Sequence, residues 1–322
     1  MGTIDHCRLL CASASAYLIQ TTFKNGVYRK NLRPTLTKHP DNHNVINQYD
    51  AIKLLSDPFV VVGSPLKPNK FLKIEACFVG ETAEGIIISF RGTLPPVPVD
   101  AQSIADWIEN IFYADTKPYN PNAPGKVHEG FLDALIALET GILYALSQLD
   151  PNNTKPIYLT GHSKGGAMAP IAAMYFKAKN LFTANHVVTY AGPKPGNAVF
   201  AKNYNATFPN STNYENYLDI VPFLPPSKNT IAVLDGIIPK SWTWLHKLLK
   251  AAEDWDYEPV SKVLYVTEDS KVVKPNPLLS AERLVKLAET LVSNPKLIGE
   301  AHHVSCDYRY MKGICAGNVC TY

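Results

Sequence analysis

Ser163 stands in Gly161-His162-Ser163-Lys164-Gly165, with the β-prone run Ile157-Tyr158-Leu159-Thr160 before it and Gly166-Ala167-Met168-Ala169 after it. An apolar run passing through glycines into small helix-formers predicts a strand, a sharp turn and a helix. Such a turn thrusts the serine hydroxyl out at its tip. Glycines two residues to either side let strand and helix approach, and the free N–H groups of the first helical turn face any negative oxygen that develops beside the serine. The chemistry this suits is attack by the serine oxygen on a carbonyl carbon.

A serine needs a base, and the base needs an orienting carboxylate. In sheets of this kind the three run Ser, then Asp or Glu, then His along the chain, with the last two on loops after later strands. Asp219 fits, because it follows the strand-like Tyr214-Glu215-Asn216-Tyr217-Leu218 and precedes Ile220-Val221-Pro222. Downstream of it the histidines are His246, His302 and His303. His246 sits in an aromatic helical pattern and reads as a surface or core residue, so both His302 and His303 stay open as the base. His128 and His162 precede the later loops and read as structural, as does Arg91.

The elements that must carry these groups alternate between strand and helix. Helices are predicted over 4–21, 44–56 and 131–149, after the elbow, and over 280–292; Pro170 in the elbow helix should kink it. Strands are predicted over 71–79, 85–90, 185–190, 212–218 and 263–266. Ile86-Ile87-Ile88-Ser89-Phe90 is apolar almost throughout, as a strand covered on both faces must be. The class expected is therefore α/β, with a mostly parallel central sheet flanked by helices and an elaborated C-terminal segment. After the Pro-rich stretch 94–99, Ile104, Trp107, Ile108 and Ile111 recur at helical spacing, with Asp106, Glu109 and Asn110 on the opposite side.

The chain has 322 residues, 46% of them hydrophobic and 18% charged, with a net charge of +3. With no basic run of five or more, nothing points to nucleic acid. No apolar run approaches the roughly eighteen residues of a membrane span. Leu9 to Ala16 imitates a signal peptide, but the run is short and Asp5 and Arg8 precede it, so an amphipathic first helix is expected. Cys7, Cys11, Cys77, Cys306, Cys315 and Cys320 cluster at the chain ends. Without a clear export signal they are read as thiols, and a cytoplasmic location is favoured over secretion. One domain over 1–322 is expected, without repeats or linkers.

Six stretches in this order carry a resemblance to a known family: Phe90-Arg91-Gly92-Thr93, the 103–108 pattern, Val127-His128-Glu129-Gly130-Phe131, the 161–166 turn, Ala191-Gly192-Pro193-Lys194-Pro195-Gly196-Asn197, and Leu218-Asp219-Ile220-Val221-Pro222. Together they resemble the fungal-type (class 3) lipases of the α/β-hydrolase superfamily. The resemblance implies a catalytic triad of Ser163, Asp219 and His303, the last because the family places a tyrosine five residues after its histidine, here Tyr308. It implies an oxyanion hole from Thr93 and the N–H of Lys164, and it makes the 103–113 helix a lid, with Trp107, Ile108 and Ile111 as substrate-binding residues. The implied reaction is hydrolysis of carboxylic esters, lipid esters such as acylglycerols first, through an acyl-enzyme on Ser163. It needs no metal or cofactor, and contact with a lipid interface would follow from the lid. Two other readings are a catalytically silent binding or signalling module on the same scaffold and a small-ester carboxylesterase. The sequence departs from the family pattern at Lys164, where an apolar or amide side chain is commoner, and in residues 225–300, an insertion that the smallest members lack. A cation at a helix N-terminus opposes the dipole, so Lys164 should find a carboxylate, with Asp106 and Glu109 as the candidates.

Overall fold

In the computed structural model, the strands read from the sequence become the middle of a larger sheet. Strands β1 (Gly26–Arg29), β2 (Phe59–Gly63), β3 (Glu75–Thr82) and β4 (Gly85–Phe90) pair antiparallel in chain order. From β4 the sheet continues in parallel through β7 (Ile157–His162), β8 (His186–Tyr190), β10 (Thr212–Asn216) and β12 (Lys262–Val266). The short β13 (Val272–Val273) closes it antiparallel to β12, giving nine strands. A small antiparallel sheet of β5 (Thr116–Lys117), β6 (Val127–His128), β9 (Gly196–Asn197) and β11 (Tyr257–Glu258) lies apart from it. The structure describes residues 3–20, 22–35, 42–64, 74–93, 115–237 and 256–320, with the single positions 240, 243, 246, 247 and 250. The 103–113 helix, including Asp106, Trp107, Ile108, Glu109 and Ile111, lies outside the described residues.

Both faces of the sheet are covered, which explains the unbroken apolar run of β4. Ile86, Ile88 and Phe90 join one core with Leu159 and Val187, while Ile87, Tyr158 and Val188 alternate into the other. The first core is filled by α3 (Glu129–Leu149) and α4 (Lys164–Ala178), and the second by α1 (His6–Ser15). Helix α3 is long and apolar enough by composition to cross a bilayer, with a mean hydropathy of 1.4 over its most apolar window. It therefore qualifies the expectation of no such run, yet Phe131, Leu135, Leu138 and Ile142 are fully or almost fully buried in the core. Helix α4 runs on through Pro170, whose lost bond falls to the carbonyl of Gly166 in the first turn.

Several boundaries differ from the sequence reading. Helix α1 stops at Ser15 and tightens into a 3₁₀ turn over Ala16–Leu18, and α2 spans Asn42–Ala51. The strand expected over 71–79 is β3, whose register with β4 runs from Cys77 opposite Phe90 to Thr82 opposite Gly85. Strands β1 and β2 were not anticipated, because the polar surroundings of 20–43 hide β1 and β2 is only five residues long. Arg8, which argued against a signal peptide, is buried and makes a bidentate pair with Glu84 at 2.6 and 3.0 Å, pinning α1 to the β3–β4 turn. That guanidinium holds the Glu84 carboxyl down at about 2.

After α5 (Ala198–Thr207), the segment 225–300 adds α6 (Lys228–Ile237), β12, β13, α7 (Pro277–Ser293) and most of α8 (Pro295–Ala301), so part of it belongs to the main sheet. The C-terminal α9 (Arg309–Cys315) packs against α1, and here the reading of the cysteines as thiols is overturned. Cys7 is bonded to Cys315, and Cys306 to Cys320, leaving Cys11 and Cys77 as buried thiols. The two chain ends are brought together across the second core, which the sequence could not reveal from cysteine spacing. The first bridge closes a loop of 308 residues, and constraining so long a loop in the unfolded chain is worth a few kcal/mol. Cys7→Ser/Cys315→Ser should therefore lower stability by about 2–4 kcal/mol, read as a drop in the urea midpoint, with a steeper slope because the uncrosslinked unfolded chain exposes more surface. An unchanged midpoint would show that the bridge contributes nothing to folding.

Candidate active site

The turn after β7 has the geometry its glycines predict. Ser163 sits at φ 58° and ψ −129°, a region that costs a non-glycine residue about 1–3 kcal/mol and persists only where the surroundings impose it. The surroundings are tight. A Cβ on Gly161 would come within 2.3 Å of the Gly165 carbonyl oxygen, and one on Gly165 within 2.1 Å of the Phe90 oxygen. The Ser163 N–H donates to the Tyr190 oxygen at 3.0 Å, tying the turn to the end of β8. The Ser163 side chain is buried, and its Oγ takes no hydrogen bond among the described residues.

Asp219 lies in the turn after β10, fully buried. Its carboxylate accepts from His302 Nδ1 at 3.0 and 2.9 Å, from the Tyr310 hydroxyl at 2.8 Å and from the Val221 N–H at 3.0 Å. A buried carboxylate needs such a set of donors to stay ionised. The histidine at the acid is thus His302, and the assignment of His303 is corrected. His303 instead stacks on Tyr308, ring centroids 4.8 Å apart, which accounts for the spacing that had suggested it. The reason lies in the end of α8: the helix closes at Ala301, His302 is its C-cap, and the next residue has already turned away from the acid.

His162 holds this histidine in place through the backbone. Its Nε2 lies 2.7 Å from the His302 carbonyl oxygen and its Nδ1 2.8 Å from the Tyr17 hydroxyl, so the ring donates to the carbonyl and accepts from the tyrosine. Burial first, and then the neighbouring His302, push the His162 pKa well below 6.5, keeping it neutral and in this tautomer. Burial, followed by the charge of Asp219, raises the Tyr310 hydroxyl well above its usual range, so it stays a donor. Tyr310 also accepts the Asn216 N–H at 2.7 Å, and the Asn216 amide donates to the Ala301 oxygen at 2.6 Å. The acid turn and the histidine turn are thereby fastened to each other.

Thr93 follows Gly92, whose Cβ, if present, would lie 3.0 Å from Ser163 Cβ and 2.0 Å from the Tyr17 hydroxyl. Lys164 is the first residue of α4, and its N–H is one of those an α-helix leaves without an intrahelical partner. Of the two oxyanion candidates, Lys164 is thus next to the serine in the turn, and Thr93 follows a glycine that packs against it. The Lys164 ammonium pairs with Glu75, at the start of β3, and both side chains are largely buried; Asp106 and Glu109, the candidates from the sequence, lie outside the described residues. His128 caps α3 by accepting the Phe131 N–H at 3.3 Å and stacks on that ring, a structural role. Sequence reasoning missed Tyr17, Glu75 and Tyr310, none of which has a local pattern: each reaches the site from an element distant in the chain.

A nine-stranded sheet with five central parallel strands, a strained serine between β7 and α4, and an Asp–His pair on loops after later strands define an α/β-hydrolase. Residues 87–229 match the family model for lipase (class 3). A lipase of Rhizomucor miehei is 31% identical over 152 residues, 46% of this chain and 39% of that one. The secreted mono- and diacylglycerol lipase 1 of Fusarium solani is 32% identical over 142 residues, 44% and 39% of the respective chains. The chain thus matches well under half the length of these curated relatives. The native propeptide complex of the Rhizomucor miehei lipase superposes with a TM-score of 0.52 at 18% identity, covering 87% of this chain and 76% of that one, a likeness of fold. Residues 87–229 thus resemble the class 3 lipases, and the fold over most of the chain is that of an α/β-hydrolase. The preference for a cytoplasmic location is withdrawn, since two disulfides persist only in oxidising surroundings and one relative is a secreted enzyme.

Two outcomes follow from this geometry. His302→Ala should reduce ester turnover by a factor on the order of 10³ or more, with His303→Ala within about tenfold of the parent; the reverse ranking in p-nitrophenyl ester kinetics would return the role to His303. Because His162 has its folded pKa depressed, the unfolded chain binds a proton below about 6.5 that the native state refuses. Stability should then be complete above that value and fall as pH drops below it, with His162→Gln showing a shallower decline in the urea midpoint between about pH 7.5 and pH 5.5.

Proposed function

We propose that the protein hydrolyses carboxylic esters, lipid esters in particular, with Ser163 as nucleophile, His302 as base and Asp219 as the acid that orients it. The observation that carries this reading is the two-oxygen grip of Asp219 on His302 Nδ1 beside the strained serine turn. With Nδ1–H directed at the carboxylate, Nε2 is the nitrogen left to take the serine proton. Ser163 Oγ then bonds to the ester carbon while its proton passes to His302, and the carbonyl oxygen becomes an oxyanion. The N–H of Lys164 and the Thr93 hydroxyl and N–H are the donors assigned to it; each such donor is worth about 3 kcal/mol of barrier. Collapse breaks the bond to the leaving alcohol, which takes the proton from His302. Water, deprotonated by the same ring, releases the acid and restores the serine.

Lipid esters are favoured because named relatives are lipases, one of them acting on mono- and diacylglycerols. By the family resemblance, residues 103–113 are assigned the lid, with Trp107, Ile108 and Ile111 as substrate-binding residues. The two disulfides support work in an oxidising compartment.

A fluorophosphonate probe should label the purified protein at one site and fail to label Ser163→Ala. Absence of labelling in the parent protein would favour the silent binding module. If the substrate is a lipid ester, kcat/KM should climb several-fold for each added pair of carbons, since a buried methylene is worth about 0.8 kcal/mol. Trp107→Ala should flatten that climb. A profile peaking at acetate and indifferent to Trp107→Ala would make the protein a small-ester esterase.

A further inference from the structure

Helix α7, in the segment between acid and histidine, sends one charged side chain into the protein. Arg283 is wholly buried, and a buried guanidinium is tolerated only when its donors are answered. Its NH1 pairs with Glu215 on β10. Its Nε donates to the Tyr217 oxygen at 3.1 Å, and its NH2 to the Asn216 oxygen at 2.8 Å and the Asp219 oxygen at 3.2 Å. The plane lies between the rings of Phe223 and Tyr265, 4.5 and 4.6 Å from their centroids. Three of these acceptors are the backbone carbonyls of the turn that ends in Asp219. The fork therefore grasps the turn itself, and Phe223, just past it, closes over one face.

Lysine has no planar fork and could answer one or two of these groups at most. The arrangement also compensates Glu215, whose carboxylate would otherwise be buried beside a second buried carboxylate, Asp219. Resting on the reading of Asp219 and His302 as catalytic, we propose that Arg283 is a positioning residue for the reaction: it fixes the Asp219 turn and sets the charge around the Asp219–His302 pair. Residues 225–300 thereby acquire a catalytic purpose, as the source of the clamp on the acid.

The groups facing the guanidinium are Glu215, Tyr265, Tyr310 and Lys194, and those facing His302 are Asp219, His162 and His303. Loss of the Arg283 charge removes a cation from this set and makes the His302 imidazolium easier to form. The acidic limb of kcat/KM should move to higher pH in Arg283→Met, and kcat should fall by about tenfold or more with KM within about twofold. Arg283→Lys keeps the charge and loses the fork, so the limb should return toward the parent while kcat stays depressed. Fluorophosphonate labelling of the parent protein separates the two readings. If the parent fails to label, the hydrolase reading has failed; if it labels and Arg283→Met keeps the parent kcat and pH limb, only the role of Arg283 is overturned. Should Arg283→Met not fold, Glu215→Gln/Arg283→Met, which buries no unpaired charge, takes its place: with the fork lost kcat should fall about tenfold or more, while the joint loss of a cation and an anion leaves the pH limb near the parent, and a parent-like kcat overturns the role of Arg283. Failure of that variant to fold as well would make Arg283 a folding requirement and sink the proposal.

Discussion

Everything at this site depends on holding one serine in a backbone conformation it would not choose. Ser163 is forced to positive φ because β7 must end and α4 must begin within a single residue while both stay packed on the sheet. The packing that imposes this is backbone against backbone. Gly161 and Gly165 lie against each other, Gly165 against the end of β4, and Gly166 against Gly192, at distances no Cβ would survive. The same crowding brings Gly92 against Ser163 and so carries Thr93 to the serine's side. Strain at Ser163 and placement of its neighbours are thus one constraint.

The acid and the base are held differently, by polar groups in a dry interior. Asp219 draws donors from the histidine turn, from α9 and from its own turn, and in a buried setting each is worth more than in water and costs more to lose. His162 stays neutral because burial penalises its charged form and the neighbouring His302 adds to that penalty. Tyr310 belongs to α9, which the Cys7–Cys315 bridge ties to α1. The covalent staple between the chain ends and the hydrogen bond to the acid therefore act through one short helix.

The Lys164–Glu75 pair answers a conflict visible in the sequence, a cation at the start of a helix whose dipole repels it. The answer comes from β3, an antiparallel neighbour on the far side of β4 from the elbow.

The sequence by itself determined the class of fold, the elbow and the order of the motifs, because these rest on local rules: glycine where backbones touch, alternating apolar residues where both sheet faces are buried, a carboxylate just past a strand. Ser163 and Asp219 were legible for that reason. The choice between His302 and His303 was not, since adjacent residues differ by the rotation at a helix end, and only the packing of α8 and the carbonyl bond to His162 decide which ring meets Asp219. Nor could the cysteine pairs, Tyr310, Glu75 or Arg283 be read off, although each is plain in the sequence as a residue. The separations are 89 residues for Lys164 and Glu75, 91 for Tyr310 and Asp219 and 308 for the first disulfide, and no local pattern encodes a meeting that the folded chain alone brings about.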